Sequence, residues 1–284
     1  MLKKLKGVFA LTKQFSNGNF SLCLKGTCEL KDNFKKLRSE ILIAGIDRDA
    51  ERIFLSDNLY IDWVYSEDSK ELVLSTCLLD SYDSLNRCKL VFSLICKAYK
   101  VSNMFITAEF MYKDLEDKAI LNVIRSAIAH EDMFRLLTGS DDNSMVVGQS
   151  DDLKDFIQRN VRVLTFKKLQ PYLSNEDGNL YEGKVPLFDL SRTNYDYSFW
   201  RVYLGSDLES VPALVCFYSQ LIITSVLARK SHSRIKNLPD FEYFRIRLTN
   251  LDMAGPAYFS IRQQLYKLFR KGWEVREVKE NGQS

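Results

Sequence analysis

The sequence predicts a mainly α protein with a minor β component. Three observations carry that expectation. Between residues 70 and 100, Leu74, Leu78, Tyr82, Leu85, Cys88, Phe92, Ile95 and Tyr99 recur at spacings of three and four, which is the stripe of an amphipathic helix. Residues 210–228, SVPALVCFYSQLIITSVLA, carry no charge and place Pro212 near a first helical turn. From residue 256 to 271, Tyr258, Ile261, Leu265 and Leu268 fall on one side of a further helix.

Taken in chain order, the first thirty residues mix short apolar runs with Asn17-Gly18 and Gly26, the marks of one or two short strands with turns. Residues 32–55 read as a helix interrupted at Gly45, and LYIDWVY at 59–65 fits either a strand or part of a helix. After the helix at 70–100, a break is expected at Ser102-Asn103. A second helix is expected over 107–134, with Ile120, Ile124, Ala127 and Ile128 on its apolar side. TGSDDNSMVVGQSDD at 138–152 reads as a loop or linker. VRVLTF at 161–166 has strand character and Asp177-Gly178 is a hairpin-type turn, so 160–190 is expected to be a small β excursion. A long apolar helix over 207–230 and the helix from Pro256 complete the chain.

Composition narrows the chemistry. The 284 residues are 46% apolar and 27% charged, an ordinary globular balance, and the net charge of +3 excludes a histone-like binder of nucleic acid. Only two histidines are present, His130 and His232, which excludes a three-histidine zinc site. The six cysteines form no CxxC pair, and Cys88, Cys96 and Cys216 lie in apolar stretches as small core hydrophobes. The apolar run at residues 8–11 is too short for a signal-peptide core, so a reducing cytoplasm and no metal or cofactor are expected. Residues 210–228 have the length of a membrane span, but Pro212, Gln220, Thr224 and the serines dilute them. A buried helix is expected there in preference to a membrane anchor.

The stretch with the most chemical content is NVIRSAIAHED, residues 122–132, in which Arg125 and His130 are separated by four residues. Read as structure, Arg125 pairs with Asp132, Glu131 or Glu116, and His130 ends its helix at the negative end of the dipole. Read as chemistry, RSAIAH resembles the signature of the HEPN superfamily, an arginine followed after four to six residues by histidine. Ser126 stands where that signature usually carries a polar residue, most often asparagine. The helix at 70–100 is similar to the first helix of such bundles, and Glu109 with Lys113 is similar to the polar pair some members place on a preceding helix.

The resemblance implies a HEPN-like helical bundle with small β additions at the N-terminus and around 160–190. It would be divided into a 1–66 extension, a helical domain over 67–235 with a loop and β insertion at about 138–205, and a C-terminal segment over 236–284. It further implies a metal-independent endoribonuclease of toxin or anti-phage defence type, in which the ribose 2′-hydroxyl attacks the adjacent phosphate. His130 would move the protons and Arg125 would clamp the phosphate oxygens. Five residues along an ideal helix leave two side chains about 140° apart, and the resemblance implies a homodimer whose two motifs line one cleft. RNA, a second copy of the chain and an antitoxin or regulatory protein are the partners implied.

Two alternatives stand beside this: a non-catalytic helical module for RNA or protein, and a membrane-associated protein anchored by 210–228. Arg229, Lys230, Arg234 and Lys236 around His232 are a candidate contact for RNA phosphates, and otherwise a solvated helix end. Lys267, Arg270, Lys271 and Arg276 near Trp273 form a second basic patch. NYDYSFW at 194–200 reads as core or loop anchor. Asp141, Asp142, Asp151 and Asp152 lack the alternating ligands of an EF-hand.

Overall fold

The computed structural model describes residues 19–29, 45–47, 51–113, 115–116, 118–119, 122–123, 126, 147–148, 188–192, 197–226 and 240–281. The chain divides into two compact units, each discontinuous in sequence: Met1–Phe110 with Tyr203–Pro212, and Met111–Val202 with Ala213–Ser284.

Among the described residues the first unit is an antiparallel sheet with one α-helix, not a helical bundle. Its strands are β1 (Asn19–Thr27), β2 (Gly45–Asp47), β3 (Arg52–Ser56), β4 (Leu59–Ser66), β5 (Glu71–Thr76) and β6 (Ser102–Lys113), in the spatial order β2-β3-β4-β5-β1-β6. Each of β1, β3 and β5 alternates buried with half-buried or exposed residues, the period-two pattern of a sheet with one face on the core. Leu22 and Leu24 of β1, Ile53 of β3, Ile61 of β4, Leu72 and Leu74 of β5 and Ile106 and Ala108 of β6 are all at most 2% exposed. In β1 and β6, Phe20 meets Phe110 at 5.8 Å between ring centroids, while Thr27 meets Ser102 with their hydroxyls 3.0 Å apart. The two strands therefore run antiparallel.

Helix α1 (Tyr82–Ala98) starts at Ser81, whose hydroxyl accepts from the Ser84 amide at 3.2 Å. It buries Leu85, Cys88, Val91, Phe92, Ile95 and Cys96. Ahead of it, Leu79 exchanges two backbone hydrogen bonds with Phe20, which ties the approach to the helix onto the start of β1.

This architecture corrects the expected fold at several points. The helix predicted over 70–100 is a strand, a turn and then a helix. Leu74 and Leu78 share a helical spacing by coincidence, because Leu72, Leu74 and Thr76 alternate inward along β5. The first part of the helix predicted over 107–134 is strand β6, in which Ile106, Ala108, Phe110 and Tyr112 point inward at intervals of two. Residues 118–119, 122–123 and 126 are helical. The helix predicted over 32–55 ends in β2 and β3, and the undecided segment 59–65 is strand β4. The HEPN-like bundle, and the family resemblance built on it, fall with these corrections. The helix similar to that family's first helix begins with a strand, and the polar pair assigned to a preceding helix lies on a strand.

In the second unit, β7 (Val147–Gly148) pairs parallel with β8 (Phe188–Arg192). In turn, β8 pairs antiparallel with β9 (Tyr197–Gly205), from Phe188 opposite Val202 to Arg192 opposite Ser198. The predicted strand at 161–166 and turn at 177–178 lie outside the described residues.

Helix α2 (Val211–Val226) follows a 3₁₀ turn at Leu208–Ser210 that Asp207 caps by accepting from the Glu209 amide. With that turn it is long and apolar enough to cross a membrane, with a mean hydropathy of 1.3. However, Ala213, Val215, Phe217, Tyr218, Leu221 and Ile222 are fully buried. Two of its hydroxyls bond back along the helix: Thr224 donates to the Gln220 carbonyl at 2.7 Å and Ser225 to the Leu221 carbonyl at 2.6 Å. Helix α2 is thus a core helix, as its diluted hydrophobicity predicts.

Helices α3 (Asp240–Asn250) and α4 (Phe259–Asn281) meet through aromatic side chains. Phe244 stacks on Phe269 at 4.7 Å, and Phe241 approaches Tyr266 at 5.2 Å. Arg262 ties the connection by donating to the carbonyls of Met253 and Gly255.

Candidate functional site

Arg125 and His130 lie outside the described residues, as do Arg229, Lys230, His232, Arg234 and Lys236. Ser126 is helical and half-buried. Glu109 and Lys113 sit on β6, where a separation of four residues spans about 13 Å, so they do not form the adjacent helical pair that was expected. Trp200, from the aromatic run, is fully buried on β9 and belongs to the core. Arg270 of the second basic patch lies over the Phe241 ring at 5.5 Å. The acidic cluster at 141–152 lies outside the described residues. Among the described residues no group of three or more His, Cys, Asp or Glu side chains could hold a metal ion.

The first unit instead contains a cleft of about 640 Å³ at the Thr27 end of its sheet. Three pieces of backbone converge there. The first is the end of β1: the Cys28 amide donates to the Lys70 carbonyl at 2.9 Å, and the Cys28 carbonyl accepts from the Tyr65 hydroxyl at 3.4 Å. The second is the turn from β4 to β5, in which the Ser69 amide donates to the Ser66 hydroxyl at 3.3 Å and Lys70 takes a left-handed backbone, φ 54°.

The third is the C-terminal end of α1. Val101 N–H donates to the Cys96 carbonyl at 2.9 Å and Lys100 N–H to the Lys97 carbonyl at 3.4 Å. That pair of bonds is a Schellman motif, and its left-handed position, usually glycine, is Lys100 at φ 50°. Beside it, Ser102 and Thr27 share a hydroxyl pair at 3.0 Å, and the Asn103 side-chain amide donates to the Thr27 hydroxyl at 3.1 Å. Asn103 is also left-handed, φ 50°. Three of the five non-glycine residues with positive φ among the described residues thus gather around one cleft.

The lining sets what the cleft can do. Lys70 and Lys100 bring two ammonium groups and Glu29 one carboxylate, all three on exposed residues. Thr27 and Ser102 add hydroxyls that both donate and accept. Cys28 is 7% exposed, and burial pushes its thiol above the ordinary range; Cys96 in the last turn of α1 is pushed up to about 11, also by burial. Neither thiol is a nucleophile at neutral pH. The cleft therefore offers charge and hydrogen bonds. Sequence reasoning missed it because a helix was expected from residue 70 onward. The signal that was present is Glu67-Asp68-Ser69-Lys70, a polar turn between the alternating runs 59–66 and 71–76.

No family model matches this chain, and no curated protein matches it. The solved structures to which it is similar include the following three. One is a glutamine synthetase from Plasmodium falciparum (8% identity, 98% of this chain and 76% of that chain, TM-score 0.43). Another is the complex between the prokaryotic ubiquitin-like protein Pup and its ligase PafA (8% identity, 96% and 66%, TM-score 0.42). The third is a bifunctional glutathione synthetase from Pasteurella multocida (10% identity, 98% and 52%, TM-score 0.43). At these scores the likeness carries no argument for a shared fold or chemistry. None of the three is described as a ribonuclease, and the ribonuclease expectation, which came with the resemblance carried by Arg125 and His130, is withdrawn with the helical bundle that the resemblance implied.

Proposed function

We propose that the first unit is a binding module for a small anionic ligand, a carboxylate or a phosphate, held in the cleft between Lys70 and Lys100. The observation that carries this reading is the placement of both lysines at left-handed positions on the rim of one cleft, where the usual glycine would relieve the backbone. A left-handed lysine costs stability, and a charge aimed at a ligand is a reason to keep it. Thr27 and Ser102 line the same cleft, where their hydroxyls hydrogen-bond to each other and to each other's carbonyls. The same reading keeps the chain in a reducing, cytoplasmic setting, supported by its six unbridged cysteines.

The test is a titration of the full chain with pentanoate and with inorganic phosphate at low salt, followed by amide chemical shifts. Shifts are expected at residues 27–29, 70 and 98–102, and the double substitution Lys70→Met, Lys100→Met should weaken binding at least tenfold. The absence of such shifts with both anions, or binding indifferent to the double substitution, overturns the proposal. The two anions also separate a carboxylate site from a phosphate site.

A further inference from the structure

The charge pattern of the cleft goes beyond an anion site. Glu29 lines the same cleft as Lys70 and Lys100, and an anion held by two ammonium groups gains nothing from a carboxylate beside them. A second negative feature lines the same cleft. Ala98 and Tyr99, the last helical residue and the cap of α1, line the cleft, so the helix presents its carbonyl end there. Such an end carries partial negative charge and favours a cation. The Schellman bonds occupy the carbonyls of Cys96 and Lys97 one turn earlier.

The cleft is therefore bipolar. Lys70 and Lys100 favour negative charge, and Glu29 with the end of α1 favours positive charge. Its volume of about 640 Å³ also exceeds what a simple inorganic anion fills.

Resting on the reading of this cleft as an anion site, we infer that its ligand is zwitterionic: a small molecule carrying both a carboxylate and a primary ammonium, with the ammonium met by Glu29. Matched five-carbon probes test this on the full chain by the same amide-shift titration: pentanoate, 2-aminopentanoate and pentylamine. In the wild type, 2-aminopentanoate should bind at least fivefold tighter than pentanoate, and pentylamine weakest of the three. Glu29→Gln should erase that preference. It should also tighten pentanoate two- to threefold, because an opposing charge is gone. Equal binding of pentanoate and 2-aminopentanoate in the wild type, or a preference that survives Glu29→Gln, overturns the inference while leaving the anion site standing. If neither carboxylate binds while inorganic phosphate does, the inference falls and the anion site stands; if phosphate also fails to bind, both fall.

Discussion

At the scale of single residues, the structure contains positions where local strain and function oppose each other. Lys100 occupies the left-handed end of a Schellman motif, a conformation that a β-carbon disfavours by about 1 kcal/mol. Lys100→Gly should therefore raise the free energy of unfolding by about 0.5–1 kcal/mol, read from urea midpoints, while weakening the binding of pentanoate. A variant that is both less stable and unimpaired in binding would contradict the role given to this lysine. The buried thiols set an alkaline limit. Cys88 is pushed up to about 12 and Cys96 to about 11, in both cases first by burial. The unfolded thiol loses its proton near 9, so between 9 and these values the unfolded state binds fewer protons and stability falls as pH rises. Each thiol contributes a slope of about 1.4 kcal/mol per pH unit in that window. Urea midpoints measured from pH 8 to 11 should show the decline, and Cys88→Ala should flatten it.

At the scale of elements, the decisive contacts join strands that are far apart in sequence. Gly26 on β1 leaves no room for a side chain, because a β-carbon there would meet the Val101 side chain and come within 3.0 Å of the Ser102 carbonyl oxygen. Gly26→Ala should cost about 1–3 kcal/mol and displace the Thr27–Ser102 hydroxyl pair. Adding Val101→Ala should return part of that loss in thermal denaturation, since the carbonyl contact remains. How much of this level was legible varies with the element. The part of the stripe from Leu85 to Ile95 is helical, with Tyr99 as the C-cap. The preceding run Glu71–Thr76 was not legible as a strand, because Leu74, Leu78 and Tyr82 satisfy a helical spacing while Leu72, Leu74 and Thr76 satisfy a strand's. The same ambiguity hid β6, whose inward residues Ile106, Ala108 and Phe110 sit in a segment with no Gly or Pro to mark its edges.

At the scale of the whole molecule, the apolar helix α2 distinguishes a core from a membrane anchor. Phe217 is fully buried, so Phe217→Ala should cost about 3–5 kcal/mol of folding stability, seen as a lowered urea midpoint. A membrane anchor would lose little from that change in solution, and an unaltered midpoint would argue against the core assignment. Helix α2 was legible because sixteen consecutive uncharged residues, diluted by Gln220 and Thr224, have few other places to go than a protein interior. Helix α4 was legible for the related reason that Tyr258, Ile261, Leu265 and Leu268 recur at helical spacings; the first three are buried, while Leu268 is half-buried and Phe269 takes the buried position beside it. The cleft was not legible. Thr27, Lys70 and Lys100 are brought together by β1 pairing with β5 and approaching β6, and nothing local to any one of them announces the other two. The sequence by itself determined its composition limits, its long apolar helix and the amphipathic face of α4, all of which depend on neighbours within a few turns. Only the tertiary structure decided which ambiguous segments became strands and which charges share a cleft, because strand hydrogen bonds are made to partners tens of residues away.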